Sequence, residues 1–201
     1  MIKIIGLTGS IGMGKSTVGV MFREEGIPVY NADAEVHKFY QVGGQAVEPI
    51  SKLFPEAVID GRVDRPTLSK LVLGDDSAIK KLEAIVHPMV GAHRAEFLQK
   101  AEQDGHDMVI LDVPLIFETG GEKNFHKIVV VSAPAQMQRD RVLVRDDMSA
   151  EKFESILARQ VPDAQKRELA DYVIDTGLPM EETRKQVQDL IRELREEAAH
   201  A

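Results

Sequence analysis

The stretch Gly6–Thr17, GLTGSIGMGKST, follows directly on the apolar run Ile2-Lys3-Ile4-Ile5. Four glycines and a lysine trailed by two hydroxyl residues make an unusual start for a helix. Gly9, Gly14, Lys15 and Ser16 satisfy the pattern G-x-x-x-x-G-K-[ST]. A strand is expected before it and a helix over 15–25 after it, which is the flanking the pattern requires. Glycines open backbone conformations closed to other residues, so several N–H groups can turn into one concave nest. The amino end of the helix adds about half a positive charge. Lys15 can reach the β- and γ-phosphates of a nucleotide, and Ser16 can ligate Mg²⁺. The alternative is an ordinary glycine-rich turn, and the match at every fixed position argues against it. The stretch reads as a loop that holds a nucleoside triphosphate.

Working outward, five short apolar or β-branched runs are expected as buried strands: Ile2–Leu7, Pro28–Asn31, Met108–Val113, Lys127–Ser132 and Tyr172–Asp175. Helical patterns fill the intervals. Strands alternating with helices imply βαβ units, hence an α/β fold with a five-stranded parallel sheet and helices on both faces, three layers in all. The interval from Asp33 to about Gln103 shows no strand and is too long for one crossover, so several helices in an inserted lobe are expected there. Within it, Gly43-Gly44 and the segment Pro55–Pro66 with Asp60-Gly61 read as turns. Ile79–Leu98 reads as a helix with Leu82, Ile85, Val86, Met89 and Val90 on one side, kinked or split at Pro88. Met180–Glu197 reads as a last helix with Met180, Thr183, Val187, Leu190, Ile191 and Leu194 at helical spacing.

At 201 residues and 43% hydrophobic composition the chain can bury one good core with a smaller lobe attached. It has no cysteine, which excludes disulfides and thiolate metal sites and fits a reducing cytoplasm. The amino-terminal apolar run is too short for a signal segment, and no run reaches membrane-spanning length. The formal net charge of −8 argues against general nucleic-acid or anionic-membrane binding while allowing a local basic pocket. A cytoplasmic protein, monomeric or weakly homo-oligomeric, with no nucleic-acid or membrane partner is expected.

Three further places carry chemistry. The second strand ends in Tyr30-Asn31-Ala32-Asp33, at the carboxyl edge of the sheet where ligands bind. Asp33 could accept a proton from an attacking hydroxyl or help hold Mg²⁺ through water, or it could simply cap the helix that follows. The third strand runs through four apolar residues into Asp112, like a Walker-B strand, and Pro114–Phe117 lies apolar where the edge of the site should be, as cleft lining or core. In Gln138–Asp147, Arg141 and Arg145 share a helix face, and a further helix from Ser149 carries Arg159. An arginine-bearing helical hairpin that closes over ATP excludes water and brings positive charge, whereas salt bridges with Asp140, Asp146 and Asp147 would be worth little. No N-K-x-D base-reading motif occurs, against a GTP switch.

Taken together the motifs resemble the dephospho-coenzyme A kinases over nearly the whole chain. The resemblance rests on IIGLTGSIGMGKSTV, on GIPVYNADAEVH with Asp33 and His37, and on VHP at Val86–Pro88. It continues through LDVPLIFETG from Leu111, RVLVRDDMS with Arg141 and Arg145, ILARQ at 156–160, and ADYVIDTG at 170–177. It implies a P-loop kinase-type fold: core 1–33, 104–136 and 167–201, a helical CoA-binding lobe 34–103, and a lid 137–166. It also implies transfer of the γ-phosphoryl of ATP to the 3′-hydroxyl of the dephospho-CoA ribose, the last step of coenzyme A synthesis, with Mg²⁺. Carried onto this sequence, Asp33 is the base, and Lys15 with Arg141 or Arg145 neutralises the phosphoryl group. Gly12, Met13, Gly14, Lys15, Ser16, Thr17 and Arg145 bind ATP, and Ser16 bears on the metal. His87, Asp112, Leu115 and Phe117 face the acceptor, although His87 also suits a core histidine before a kink. Three positions depart from the family: Met13 replaces a usual serine, Asn31 a second acid, and Thr176 the asparagine on the adenine side. Met13 is expected still to supply its backbone N–H. The rival readings are another small-molecule kinase, such as one acting on a nucleoside monophosphate, and a non-catalytic ATP-sensing module.

Overall fold

The computed structural model describes residues 2–146 and 148–199. Asp147, one of the acids set beside the lid arginines by the sequence, lies outside the described residues. In chain order the elements are β1 (Lys3–Thr8), α1 (Lys15–Glu24), β2 (Val29–Asn31), α2 (Ala32–Phe39), α3 (Val47–Leu53), β3 (Val58–Ile59), β4 (Arg62–Val63) and α4 (Arg65–Val72). Then follow α5 (Asp76–Gln103), β5 (Met108–Asp112), β6 (Lys127–Ser132), α6 (Ala135–Leu143), α7 (Ala150–Leu157), α8 (Asp163–Leu169), β7 (Tyr172–Asp175) and α9 (Met180–Ala199). The chain divides into two compact units, one from its start to Tyr30 and again from Ala101 onward, the other Asn31–Lys100.

The first unit is built on a parallel sheet in the order β2-β5-β1-β6-β7. β1 is central, with Leu7 opposite Asp112 of β5 on one side and Val129 of β6 on the other. Every residue of β5 is buried, as expected of a parallel strand covered on both faces. The two faces are visible in the alternation along β6. Val129 and Val131 join α1 and α9 through Phe22, Val187 and Leu194, while Ile128 and Val130 join Ile116 and Phe117 on the opposite side. The strand order reverses around β1, so the loop after β1 sits at the switch point where parallel sheets bind ligands. α9 packs through Val187, Leu190, Ile191 and Leu194 as the spacing predicts, but Met180 is exposed in its first turn.

The second unit surrounds Phe39, Tyr40, Ile50, Phe54 and Leu68, against which Leu82, Ile85, Val86, Met89 and Val90 of α5 lie. It differs from the expected all-helical lobe in holding a β-hairpin, Val58–Ile59 against Arg62–Val63. The turn is Asp60-Gly61, both with positive φ (51° and 73°), as a two-residue hairpin with strand-matching twist needs. Of the two expectations for Pro88, the split does not occur: α5 runs through it as one helix. Proline removes only its own N–H bond to Ala84; both residues are exposed, so water can take the freed carbonyl. The helix starts earlier than its apolar pattern because the Asp75 carboxylate accepts from the N–H groups of Ser77 and Ala78.

Candidate active site

The loop after β1 closes on itself before it opens to a ligand. Met13 N–H donates to the Ser10 carbonyl at 3.1 Å, and Gly12 and Gly14 take φ of 80° and 89°. A Cβ on Gly12 would come within 2.5 Å of Val142 Cγ2, so both conformation and space demand glycine there. Gly14 caps α1 in the left-handed region without any side-chain bond. The N–H groups of Gly12, Gly14, Lys15 and Ser16 carry no hydrogen bond to another described residue. These amides lie at the positive end of α1, whose first turn holds no acid, a setting that favours an anion. Two of the expected contributors have their amides in bonds within the loop. Met13 N–H is committed to Ser10 and Thr17 N–H to the Gly14 carbonyl, because the loop needs both to hold its turn.

The Lys15 ammonium pairs with Asp112 Oδ1, and the two side chains are 16% and 3% exposed. Leu7 and Asp112 are register partners in β1 and β5, so the sheet itself sets the acid beside the loop. Thr8 Oγ1 adds a bond to the Pro114 carbonyl at 3.1 Å, tying the same two strand ends together. The Lys15 ammonium keeps two further donors for phosphate oxygens. Ser16 and Thr17 are exposed beside it.

The two departures at 13 and 176 meet in space. Thr176 Oγ1 donates to the Met13 carbonyl at 2.7 Å, and the Met13 sulfur accepts the Ala133 N–H at 3.1 Å. Arg141 in turn donates to Thr176 Oγ1 at 3.0 Å and to its carbonyl at 2.6 Å. Arg141 is thereby joined to the loop through Thr176, with three of its five N–H donors left over. The Arg145 side chain is exposed and has no partner among the described residues.

Beyond β5, Leu115 is exposed while Phe117, at 8%, belongs to the core beside Ile116 and Ile128. Glu118 accepts from the Val161 N–H at 2.9 Å and lies 2.7 Å from the fully buried Lys166. Burial pushes the Glu118 carboxyl up, but Lys166 and the backbone N–H groups outweigh it and hold it below the usual range. Ser132 Oγ donates to Asp163 at 2.7 Å. Sequence reasoning passed over Gln138, Gln160, Glu118 and Lys166. Gln160 stood in the quoted ILARQ stretch, but nothing local marks it as a partner of Ile11, whose N–H it accepts.

In the second unit, Asp33 sits in the first turn of α2 and His87 midway along α5, both exposed. The cap of α2 is Asn31, whose side chain accepts the Ala34 N–H at 2.8 Å, so the helix does not use Asp33. The Asp33 carboxylate has no partner among the described residues. His87 is not a core histidine.

A nest after the central strand of a five-stranded parallel sheet, its lysine paired to an acid at the end of the neighbouring strand, defines a P-loop kinase of the α/β class. A family model described as Dephospho-CoA kinase matches residues 3–181. The Dephospho-CoA kinase of Rhizobium etli is 52% identical over 195 residues, covering 97% of this chain and 95% of that protein. The crystal structure of TT1252 from Thermus thermophilus superposes with a TM-score of 0.78 at 35% identity, covering 96% and 98% of the two chains. A Dephospho-CoA kinase from Campylobacter jejuni shares the fold with a TM-score of 0.65 at 24% identity, over 95% of this chain and 96% of its own. The chain belongs to the dephospho-CoA kinase family.

Proposed function

We propose that the chain transfers the γ-phosphoryl group of ATP to the 3′-hydroxyl of the dephospho-CoA ribose, giving coenzyme A and ADP. The observation that carries this reading is the nest of uncommitted amides beside the Lys15–Asp112 pair, in a chain that matches the family over 3–181. The amides of Gly12, Gly14, Lys15 and Ser16 bind the phosphate tail, and Lys15 neutralises charge on the transferring group. Asp112 keeps that ammonium aimed. Ser16, exposed at the helix start, is the residue that would hold Mg²⁺, an ion that keeps several waters and takes phosphate oxygens rather than a cage of protein ligands. Bound there, it would offset the phosphate charge.

Asp33 stands two residues beyond β2 in the chain, and its carboxylate, with no partner among the described residues, is the group that accepts the proton of the incoming hydroxyl. Residues 34–103 form the acceptor-binding lobe, with His87 and Leu115 facing the acceptor and Phe117 supporting that edge from the core. Residues 137–166 form the lid. Arg141, held on Thr176, lies on the nucleotide side, and Arg145 reaches the phosphates on closure. Transfer runs in line through a loose transition state, so positioning and charge contribute more than the base does. A coupled ADP-release assay with Mg·ATP and an acceptor panel tests the reading. Release driven by dephospho-CoA is expected. Release driven equally by a nucleoside monophosphate, or nucleotide binding with no acceptor-dependent release, would overturn it.

A further inference from the structure

We propose that Gln138 is a positioning residue that selects the nucleotide-binding state of the phosphate loop by fixing the orientation of one peptide plane, that between Ile11 and Gly12. The inference rests on the kinase reading above and adds a residue that neither motif nor family match singles out. Ser10–Met13 is a β-turn closed by the Met13 N–H on the Ser10 carbonyl, and its third residue, Gly12, has φ of 80°. That φ is the mark of a type II turn. Types I and II differ mainly by a flip of the central peptide, here Ile11–Gly12, so the flipped plane is the alternative that the loop has to exclude.

The flip decides what a phosphate meets. In a planar trans peptide the C=O and the following N–H point opposite ways. Gln138 Nε2 donates to the Ile11 carbonyl at 2.7 Å, which turns that carbonyl toward α6 and the Gly12 N–H away from it. The Gly12 N–H is one of the amides with no partner among the described residues. Flipped, the peptide would direct a carbonyl oxygen where the nest needs a donor. Gln138 is placed to hold the plane: it is 5% exposed, and its own backbone carbonyl would lie 2.9 Å from a Cβ on Gly12, so the two backbones are packed closely. Gln160 steadies the preceding plane, accepting the Ile11 N–H at 3.1 Å while the Ser10 carbonyl faces Met13. α6 is therefore bonded directly to the loop.

The two glutamines use opposite ends of the same amide, which gives a discriminating test. Gln138→Glu removes the donor and offers an acceptor that the flipped Gly12 N–H can bind; Gln160→Glu keeps the acceptor Ile11 needs. The full ¹⁵N-labelled chain is titrated with Mg·ATP, following the Gly12 amide resonance, with Kd from calorimetry. Wild type and Gln160→Glu are expected to show a large ATP-induced shift of Gly12. Gln138→Glu is expected to lose that shift and to bind ATP about tenfold more weakly. If Gln138→Glu does not fold, Gln138→Leu removes the donor without burying a charge and should weaken ATP by about fivefold. An unchanged Gly12 response and Kd in the Gln138 variants, or equal losses in Gln138→Glu and Gln160→Glu, would overturn the proposal. Turnover by wild type is measured separately, so failure of dephospho-CoA to drive ADP release counts against the kinase reading alone.

Discussion

In the first unit the side chains that shape the loop are bonded to partners 97 to 163 positions away, as in Lys15–Asp112, Ile11–Gln160, Gln138–Ile11 and Thr176–Met13. In the second, Asp33 and His87 stand exposed on helices set by local bonds, the Asn31 cap of α2 and the Asp75 cap of α5. Under the proposed function, the difference follows from what each would do. Polyphosphate is recognised by donors aimed before it arrives, which takes a rigid, cross-braced frame. An acceptor that must enter, react and leave calls for chemistry carried on exposed side chains.

The comparison can be broken first at the lysine. Lys15→Ala should lower dephospho-CoA-dependent ADP release by about 10³-fold, measured at saturating ATP. A loss of less than tenfold would mean the cross-braced loop is not where the phosphoryl group is stabilised. A smaller effect sharpens the view of the frame itself. Glu118→Gln strands the buried Lys166 and should cost about 2 kcal/mol at pH 7 by thermal unfolding. The folded carboxyl lies below its unfolded value, so its contribution is present above the unfolded pKa and is lost as pH falls through the folded one. Wild type and variant should therefore converge in acid, and a constant gap from pH 7 down to 3 would show that the charge is not the source. The smallest effect is expected on the acceptor side. His87→Ala should raise the KM for dephospho-CoA by about threefold to tenfold and leave that for ATP unchanged; a rise for ATP alone would place His87 on the wrong substrate.

Much of the first unit was legible because a parallel strand covered on both faces is a continuous apolar run. Lys127–Ser132 and Tyr172–Asp175 coincide with the expected bounds, β2 and β5 differ by a residue at one end, and β1 is shifted by one residue at both ends. The hairpin Val58–Val63 escaped because two-residue strands carry no periodicity, although Asp60-Gly61 was itself a hairpin signal. Pro88 suggested a break that an exposed helix face tolerates. Within the site, the glycines and Lys15 were legible from spacing alone. Which amides stay open was not, since Met13 and Thr17 lose theirs to bonds inside the turn. Asn31 looked like a missing acid, and in the structure it is the cap that leaves Asp33 uncommitted.

The division of labour between a braced phosphate site and an exposed base is tested most directly by Asp33→Asn, with ATP affinity from calorimetry beside single-turnover ADP release on mixing with dephospho-CoA. An ATP Kd within twofold of wild type with release slowed by about 10²-fold or more is expected. Release at the wild-type rate, or ATP affinity lost in step with it, would contradict the account.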